Sequence, residues 1–97
     1  MKVIAQTSGS SAEFDVRSGI HLFAVSGTFD GRELVKLEMK IDDDLGWIPA
    51  PPLDFNYSGA VLDDVGSMHV RLPVSKVRFT IEDAQGTTSI NAILIPI

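Results

Sequence analysis

Strict alternation of apolar and charged side chains near the middle of the chain constrains its fold more than any other feature. From Val35 to Ile41 every second residue is apolar, and the residues in between are lysine or glutamate. Because successive side chains of a strand point to opposite faces, this pattern predicts a half-buried β-strand. The same alternation returns at residues 68–72 and 77–82, on either side of Pro73, which breaks the two strands apart.

Shorter runs predict further strands between stretches of turn-forming residues. Gly, Pro, Ser and Asp interrupt the chain too often for a long helical period, and β-branched residues fill the intervals. The chain therefore predicts an all-β fold, a small antiparallel β-sandwich or jelly roll, with residues 1–97 forming one domain. The additional strands are predicted at residues 2–7, 13–16, 21–26, 47–48, 53–57, 60–62 and 90–97, and turns at residues 8–11, 17–19 and 27–32.

The net charge of −5 and the absence of cysteine exclude several classes of function. An acidic chain is poorly suited to the phosphate backbone, so we expect no nucleic acid partner. Without cysteine there is neither a disulfide framework nor a thiolate metal site. Because no apolar segment is long enough to span a bilayer or to act as a signal peptide, we expect no membrane partner and synthesis in the cytoplasm.

The last predicted strand is apolar on both faces, unlike the others. Its alternate residues form one apolar stripe at positions 90, 92 and 94 and a second at positions 93, 95 and 97. A strand of a small sandwich is expected to have one face in water, so the second stripe should meet either another part of this chain or another subunit. On the subunit alternative, the candidate interface residues are Ile93, Ile95 and Ile97.

No pattern of catalytic or metal-binding residues emerges from the polar side chains. The acidic run Asp42–Asp44 lacks the spacing of a calcium loop and predicts a solvated turn between strands. His21 and His69 have no cysteine or third histidine with zinc-site spacing, and His69 is expected to be exposed on a strand. No Gly-x-Ser-x-Gly motif is present. We therefore expect no enzyme activity, no catalytic residue, no metal and no cofactor.

Aromatic and arginine side chains leave two further questions open. Trp47, Phe55 and Tyr57 flank or follow a proline-rich segment, and could stack on sugar rings or pack in the core. Core packing is the preferred interpretation, with Trp47 the best core candidate and Tyr57 the best exception. Arg71 and Arg78 are predicted on the polar faces of two adjacent strands, where they would pair with carboxylates across the sheet or across an interface.

The order of these features resembles the small β-sandwich virion proteins of tailed bacteriophages. In that family a Gly-x-Phe-x-Gly segment precedes a strand, an Asp-Gly-Gly turn ending in Trp, a Leu-Pro step and a closing strand. This chain departs from the pattern in its turn, which reads Asp-Asp-Leu-Gly at positions 43–46. The corresponding segments here are Gly27–Gly31, Leu34–Ile41, Trp47, Leu72–Pro73, Arg78 and Ser89–Ala92.

The resemblance implies a structural protein of the virion, most simply a capsid cement or decoration protein. Such a protein self-associates as a trimer or dimer and bridges subunits of the major capsid protein, so the expected location is the virion. An alternative is a carbohydrate- or receptor-binding module of a tail fibre that uses Trp47, Phe55 or Tyr57 as a stacking platform. A tail adaptor protein shares the same fold expectation.

Overall fold

The computed structural model describes residues 2–53 and 57–97, and every regular element among them is a β-strand. No helix capable of crossing a bilayer occurs in these two ranges. The strands are β1 (Lys2–Ala5), β2 (Gly9–Ser10), β3 (Phe14–Val16), β4 (Gly19–Thr28), β5 (Leu34–Lys40), β6 (Ile48–Pro49), β7 (Val61–Leu62), β8 (Gly66–Leu72), β9 (Ser75–Glu82) and β10 (Ser89–Pro96).

Two antiparallel sheets pack face to face, which confirms the predicted all-β sandwich. Sheet I has the strand order β1–β10–β4–β8. Sheet II is built on the pair β9–β5; β2 and β3 follow one another along the free edge of β9, while β6 and β7 lie along the free edge of β5. Consecutive strands β8 and β9 lie in different sheets, so the step at Pro73 carries the chain from one layer to the other.

The core lies between the sheets and follows the alternation that the sequence predicts. In β5 and β9 the apolar positions are buried, whereas the charged positions remain partly exposed. Phe23 of sheet I packs against Phe79 of sheet II with ring centroids 6.0 Å apart, and Phe14 lies 5.8 Å from Phe79. These rings connect the two layers at the centre, where large apolar side chains contribute most to stability.

Two segments depart from the predicted boundaries. β2 occupies residues 9–10, where the serines and glycine predicted a turn, because Ser10 pairs with Thr80 and Ser11 contributes both backbone and hydroxyl hydrogen bonds to Phe79. β4 extends to Thr28 through a region predicted as a turn. The predicted strand at 53–57 falls largely on residues 54–56, outside the described residues.

The edge of sheet I at β8 is covered by the chain itself. Pro52 bridges to Val70, the amide of Leu53 donates to the carbonyl of His69, and the amide of Arg71 donates to the carbonyl of Pro51. A covered edge removes the backbone groups on which a foreign strand could pair. Sheet I therefore offers its outer face, rather than this edge, to a partner.

Candidate interaction surface

The outer face of sheet II is charged, and its side chains satisfy one another. Lys36 Nζ lies 2.7 Å from Glu82 Oε1, and Arg78 Nε donates to Glu38 Oε1 at 3.0 Å. The Thr80 hydroxyl donates to the same Glu38 oxygen. The hydrogen bond to Glu82 raises the pKa of Lys36, which keeps the lysine charged. This face has the wet, paired character that one side of an antiparallel sheet normally shows.

The outer face of sheet I is apolar along its two central strands. In the register of β10 and β4, Ile93 lies opposite Ala24 and Ile95 lies opposite Leu22. The Ile97 amide then donates to the Ile20 carbonyl at 3.0 Å, which continues the row beyond the last strand residue. We call this surface the outer apolar face; its members are Ile20, Leu22, Ala24, Ile93, Ile95 and Ile97.

The predicted interface residues are accordingly placed together, and the two apolar stripes of β10 do face opposite ways. Positions 90, 92 and 94 are buried in the core, whereas Ile95 is 46% exposed and Ile97 is 74% exposed. Ile93 is half-buried. Because no described part of the chain covers Ile95 or Ile97, the alternative in which this chain itself buries the second stripe is not realised in the described residues.

A polar strip borders the outer apolar face along β8. Ser67 lies opposite Ala24, His69 opposite Leu22, and Arg71 opposite Ile20. These three β8 residues are exposed. The exposure of His69 confirms the prediction for that residue. An apolar centre with a polar border is the usual composition of a protein–protein contact patch.

Three residues of the outer apolar face, all on β4, were missed by sequence reasoning. Ile20, Leu22 and Ala24 alternate with His21, Phe23 and Val25, and the latter three are buried. The signal was present, because five of the six residues at positions 20–25 of β4 are apolar, as are residues 92–95 of β10. Such a continuous run predicts a strand that is buried on both sides.

The predicted core position of Trp47 is wrong. Its ring is half-buried on the outer side of sheet II, with the Arg78 guanidinium carbon 4.2 Å and Lys40 Nζ 5.8 Å from the ring centroid. The next residue, Ile48, pairs with Met39 and packs against the core, so alternation along the chain turns Trp47 outward. The cationic groups occupy ring surface that a sugar would need.

The other two aromatic candidates, Phe55 and Tyr57, do not form a stacking platform with Trp47 among the described residues. Tyr57 is exposed, as predicted, and lies in the loop before β7. Phe55 lies outside the described residues.

The two arginines are not neighbours across one sheet, which corrects the predicted arrangement. Arg71 lies on sheet I and Arg78 on sheet II, because the chain changes layer between β8 and β9. Arg78 pairs with Glu38 across β9 and β5, whereas Arg71 is exposed beside Ile20.

A buried carboxylate that sequence reasoning missed joins the loops at one end of the sandwich. Glu33 is 1% exposed, and its two oxygens accept hydrogen bonds from the amides of Asp30 and Arg32 and from the Thr88 hydroxyl. Burial by itself would raise the pKa of Glu33, but these hydrogen bonds outweigh it and lower the pKa to about 2. A side-chain hydrogen bond between the carboxyl groups of Asp30 and Glu33 raises the pKa of Asp30. Glu33 therefore stabilises the loops that it joins and is not available as a reactive group.

The acidic and histidine side chains of the described residues do not assemble into a metal site. No group of three or more His, Asp or Glu side chains among them could hold a metal ion. Asp42 accepts the amide of Asp44 at 2.7 Å, and Asp43 pairs with Lys40 at 3.1 Å, as in the solvated turn that was predicted. Nδ1 of the buried His21 lies 3.3 Å from the Gly19 carbonyl.

Comparisons with known proteins leave the surface to be interpreted from its own chemistry. No protein-family model, curated protein or solved structure matches the chain. The resemblance to phage virion proteins therefore stays a prediction from the sequence.

Proposed function

We propose that the chain is a structural component of a larger particle, in which the outer apolar face is buried against another protein. The observation that supports this role is the contrast between the two outer faces. Sheet II presents paired charges, whereas sheet I presents isoleucine, leucine and alanine side chains to water. Leaving such a surface exposed forgoes about 25 cal/mol for each Å² of apolar area that a partner would cover.

We further propose that the particle is the virion of a tailed bacteriophage and that the chain is a capsid cement protein. This finer statement rests on the resemblance of residues 27–97 to small virion proteins. The fold is compatible with it, because a cysteine-free sandwich of this size gains stability from contact with copies and with a shell. The major capsid protein would then be the partner that the sandwich loops contact.

Mass spectrometry of particles purified from the virus that encodes the chain would test the virion role. We expect its peptides in the particle at a copy number comparable to that of the shell subunit. We also expect that neither infection nor assembly requires any catalytic activity of the chain. Particles that lack the chain, while the infected cell contains it, would contradict the cement role.

Glycan binding, as in a tail-fibre module, has weaker support. Tyr57 is an exposed aromatic residue, but the Arg78 guanidinium lies over one face of the Trp47 ring. We expect Trp47 emission to remain unchanged during titration with a broad glycan panel. A saturable change that Tyr57→Ala abolishes would instead favour the tail-fibre role.

A further inference from the structure

We infer that the occupant of the outer apolar face is a second copy of this chain, packed sheet against sheet about a two-fold axis. This inference rests on the proposed function for its biological setting, and deepens it by naming the partner of the outer apolar face. Three observations support a second copy: the dimensions of the face, the distribution of charge and the closed β8 edge of sheet I.

The face has the size of a specific dimer interface. β10 contains 8 residues and β4 contains 10. With about 3.3 Å per residue along a strand and about 4.8 Å between strands, the whole outer side of sheet I, that is the outer apolar face together with β1 and the polar strip of β8, measures about 26 by 19 Å, or about 500 Å². Two such faces together bury about 1,000 Å² when each is treated as a flat rectangle, without the additional area of the side chains that project from it. This area reaches the size expected of a biological interface. A single helix, about 10 Å wide, would cover only half of this width.

The distribution of charge permits two copies to meet at this face despite the net charge of −5. The four strands of sheet I contain no Asp or Glu, and their charged residues are Lys2 and Arg71. Because these two contribute +2, the other residues of the chain together carry −7. Face-to-face packing would separate the two acidic sheets II by about 30 Å, three layer spacings, which far exceeds the screening length of about 8 Å at physiological salt.

The arrangement of strands closes one edge of sheet I, at β8, and places the apolar residues centrally on the face. The segment 51–53 already pairs with β8, so sheet I cannot be extended by another copy there. The apolar residues lie on the two central strands, where a two-fold axis would bring Leu22 and Ile95 of each copy against the other copy. Arg71 lies on the polar border, at the rim of this contact.

Sedimentation equilibrium of three proteins over a wide concentration range tests this inference. We expect the wild-type chain to dimerise, and Ile95→Lys to raise the dimer dissociation constant about 100-fold, because the lysine would be buried without a counter-charge. Ile41→Lys is the matched control: Ile41 is 53% exposed immediately after β5 of sheet II, and the substitution adds the same charge. We expect it to leave the dissociation constant within about 3-fold of wild type.

A second variant keeps the test decisive if Ile95→Lys fails to fold. Ile97 is 74% exposed, so Ile97→Lys changes little in the isolated fold, and we expect it to weaken dimerisation about 10-fold. A wild-type chain that stays monomeric or forms a trimer would overturn the inference. So would a dimer that is insensitive to a folded variant at position 95 or 97.

Particle analysis separates failure of this inference from failure of the virion role. A monomeric wild-type chain that enters particles, and that Ile95→Lys excludes, would show that the face binds the shell; the inference then falls and the proposed function stands. A dimer disrupted by Ile95→Lys, in a chain absent from particles, would leave the inference standing and remove the virion role. A monomer absent from particles would remove both.

Discussion

At the scale of single residues, Glu33 links two loops that are distant in the sequence. Its carboxylate accepts the amide of Asp30 three residues before it and the hydroxyl of Thr88, 55 residues away. The buried oxygens are satisfied, so the charge is tolerated. The lowered pKa makes this contact a source of pH-dependent stability.

We expect the stability of the fold to decline between about pH 4.5 and pH 2 because of Glu33. Its pKa is about 2 in the folded chain against an ordinary value of 4.5, so the unfolded chain takes up the proton first as pH falls. The contribution is complete above pH 4.5 and is lost as pH falls through 2. Asp30 offsets part of the loss because its pKa is raised. Thermal melts across this range measure the decline.

Glu33→Gln should lower the melting temperature at neutral pH by about 5–15 °C. The glutamine NH2 group would take the place of a carboxylate oxygen that now accepts hydrogen bonds, so one donor would face another. The substitution should also flatten the acid limb of the stability profile. Glu13→Gln is the matched control at an exposed position, and we expect no more than about a 2 °C change there. A Glu33→Gln protein with wild-type melting and an unchanged acid limb would contradict the role of Glu33.

Arg78 should matter more to stability than its neighbour Lys76 on the same face of β9. The side chains of Arg78 and Glu38 are 25% and 16% exposed, whereas those of Lys76 and Asp15 are 54% and 82% exposed. Arg78 also covers Trp47. We expect Arg78→Ala to cost about 1–2 kcal/mol and Lys76→Ala about 0–0.5 kcal/mol in urea unfolding. Equal costs would contradict the account of this face.

Two of the residues that sequence reasoning misjudged, Glu33 and Trp47, depend on distant partners. Nothing near Glu33 in the sequence indicates that the Thr88 hydroxyl will donate a hydrogen bond to its buried carboxylate. The local spacing to Asp30 is only a turn signal. Trp47 was predicted to be buried because of its size, but its strand position turns it outward under Arg78. Burial of such residues is decided by which strands become neighbours.

At the scale of elements, β4 continues through Gly27 where a turn was predicted. Gly27 has φ of 114°, and a Cβ added there would lie 2.1 Å from the Ser89 carbonyl oxygen of β10. Only glycine allows the two strands to stay paired at this close approach. The length of the central pair of sheet I therefore depends on one residue.

Gly27→Ala should destabilise the chain by about 2–4 kcal/mol, through a backbone clash and an unfavourable φ. Gly86→Ala is the control, since an added Cβ there meets nothing within 4 Å and the residue lacks a positive φ in the restricted range. We expect Gly86→Ala to stay within about 0.5 kcal/mol of wild type. Chemical unfolding of both variants measures the difference, and a neutral Gly27→Ala would contradict the assigned pairing of β4 with β10.

Strong alternation made the long strands predictable from the sequence, whereas the assignment of strands to sheets was not. β5, β8 and β9 match the periodic segments closely. Arg71 and Arg78 were predicted to be neighbours because their strands follow each other, yet the chain crosses between layers at Pro73. Periodicity reports which face a side chain occupies, but pairing between distant segments fixes the partner.

At the scale of the whole molecule, the sandwich has one charged and one apolar outer face. The apolar stripe of β10 was visible in the sequence, but its continuation onto Leu22 and Ala24 required the register of β4 with β10. This register turns three predicted residues into a broad patch. We claim that this patch is buried by a second copy of the chain in its working state.

Solvent exposure of isoleucine methyl groups, measured by NMR with a soluble paramagnetic probe, tests that claim most directly. Ile41 and Ile95 are similarly exposed in the isolated chain, at 53% and 46%. In the self-associated protein we expect the probe to broaden the Ile41 methyl signals while those of Ile95 and Ile97 are protected, and dilution to remove the protection. Equal broadening of Ile41, Ile95 and Ile97 at every concentration would contradict burial of the outer apolar face by a second copy.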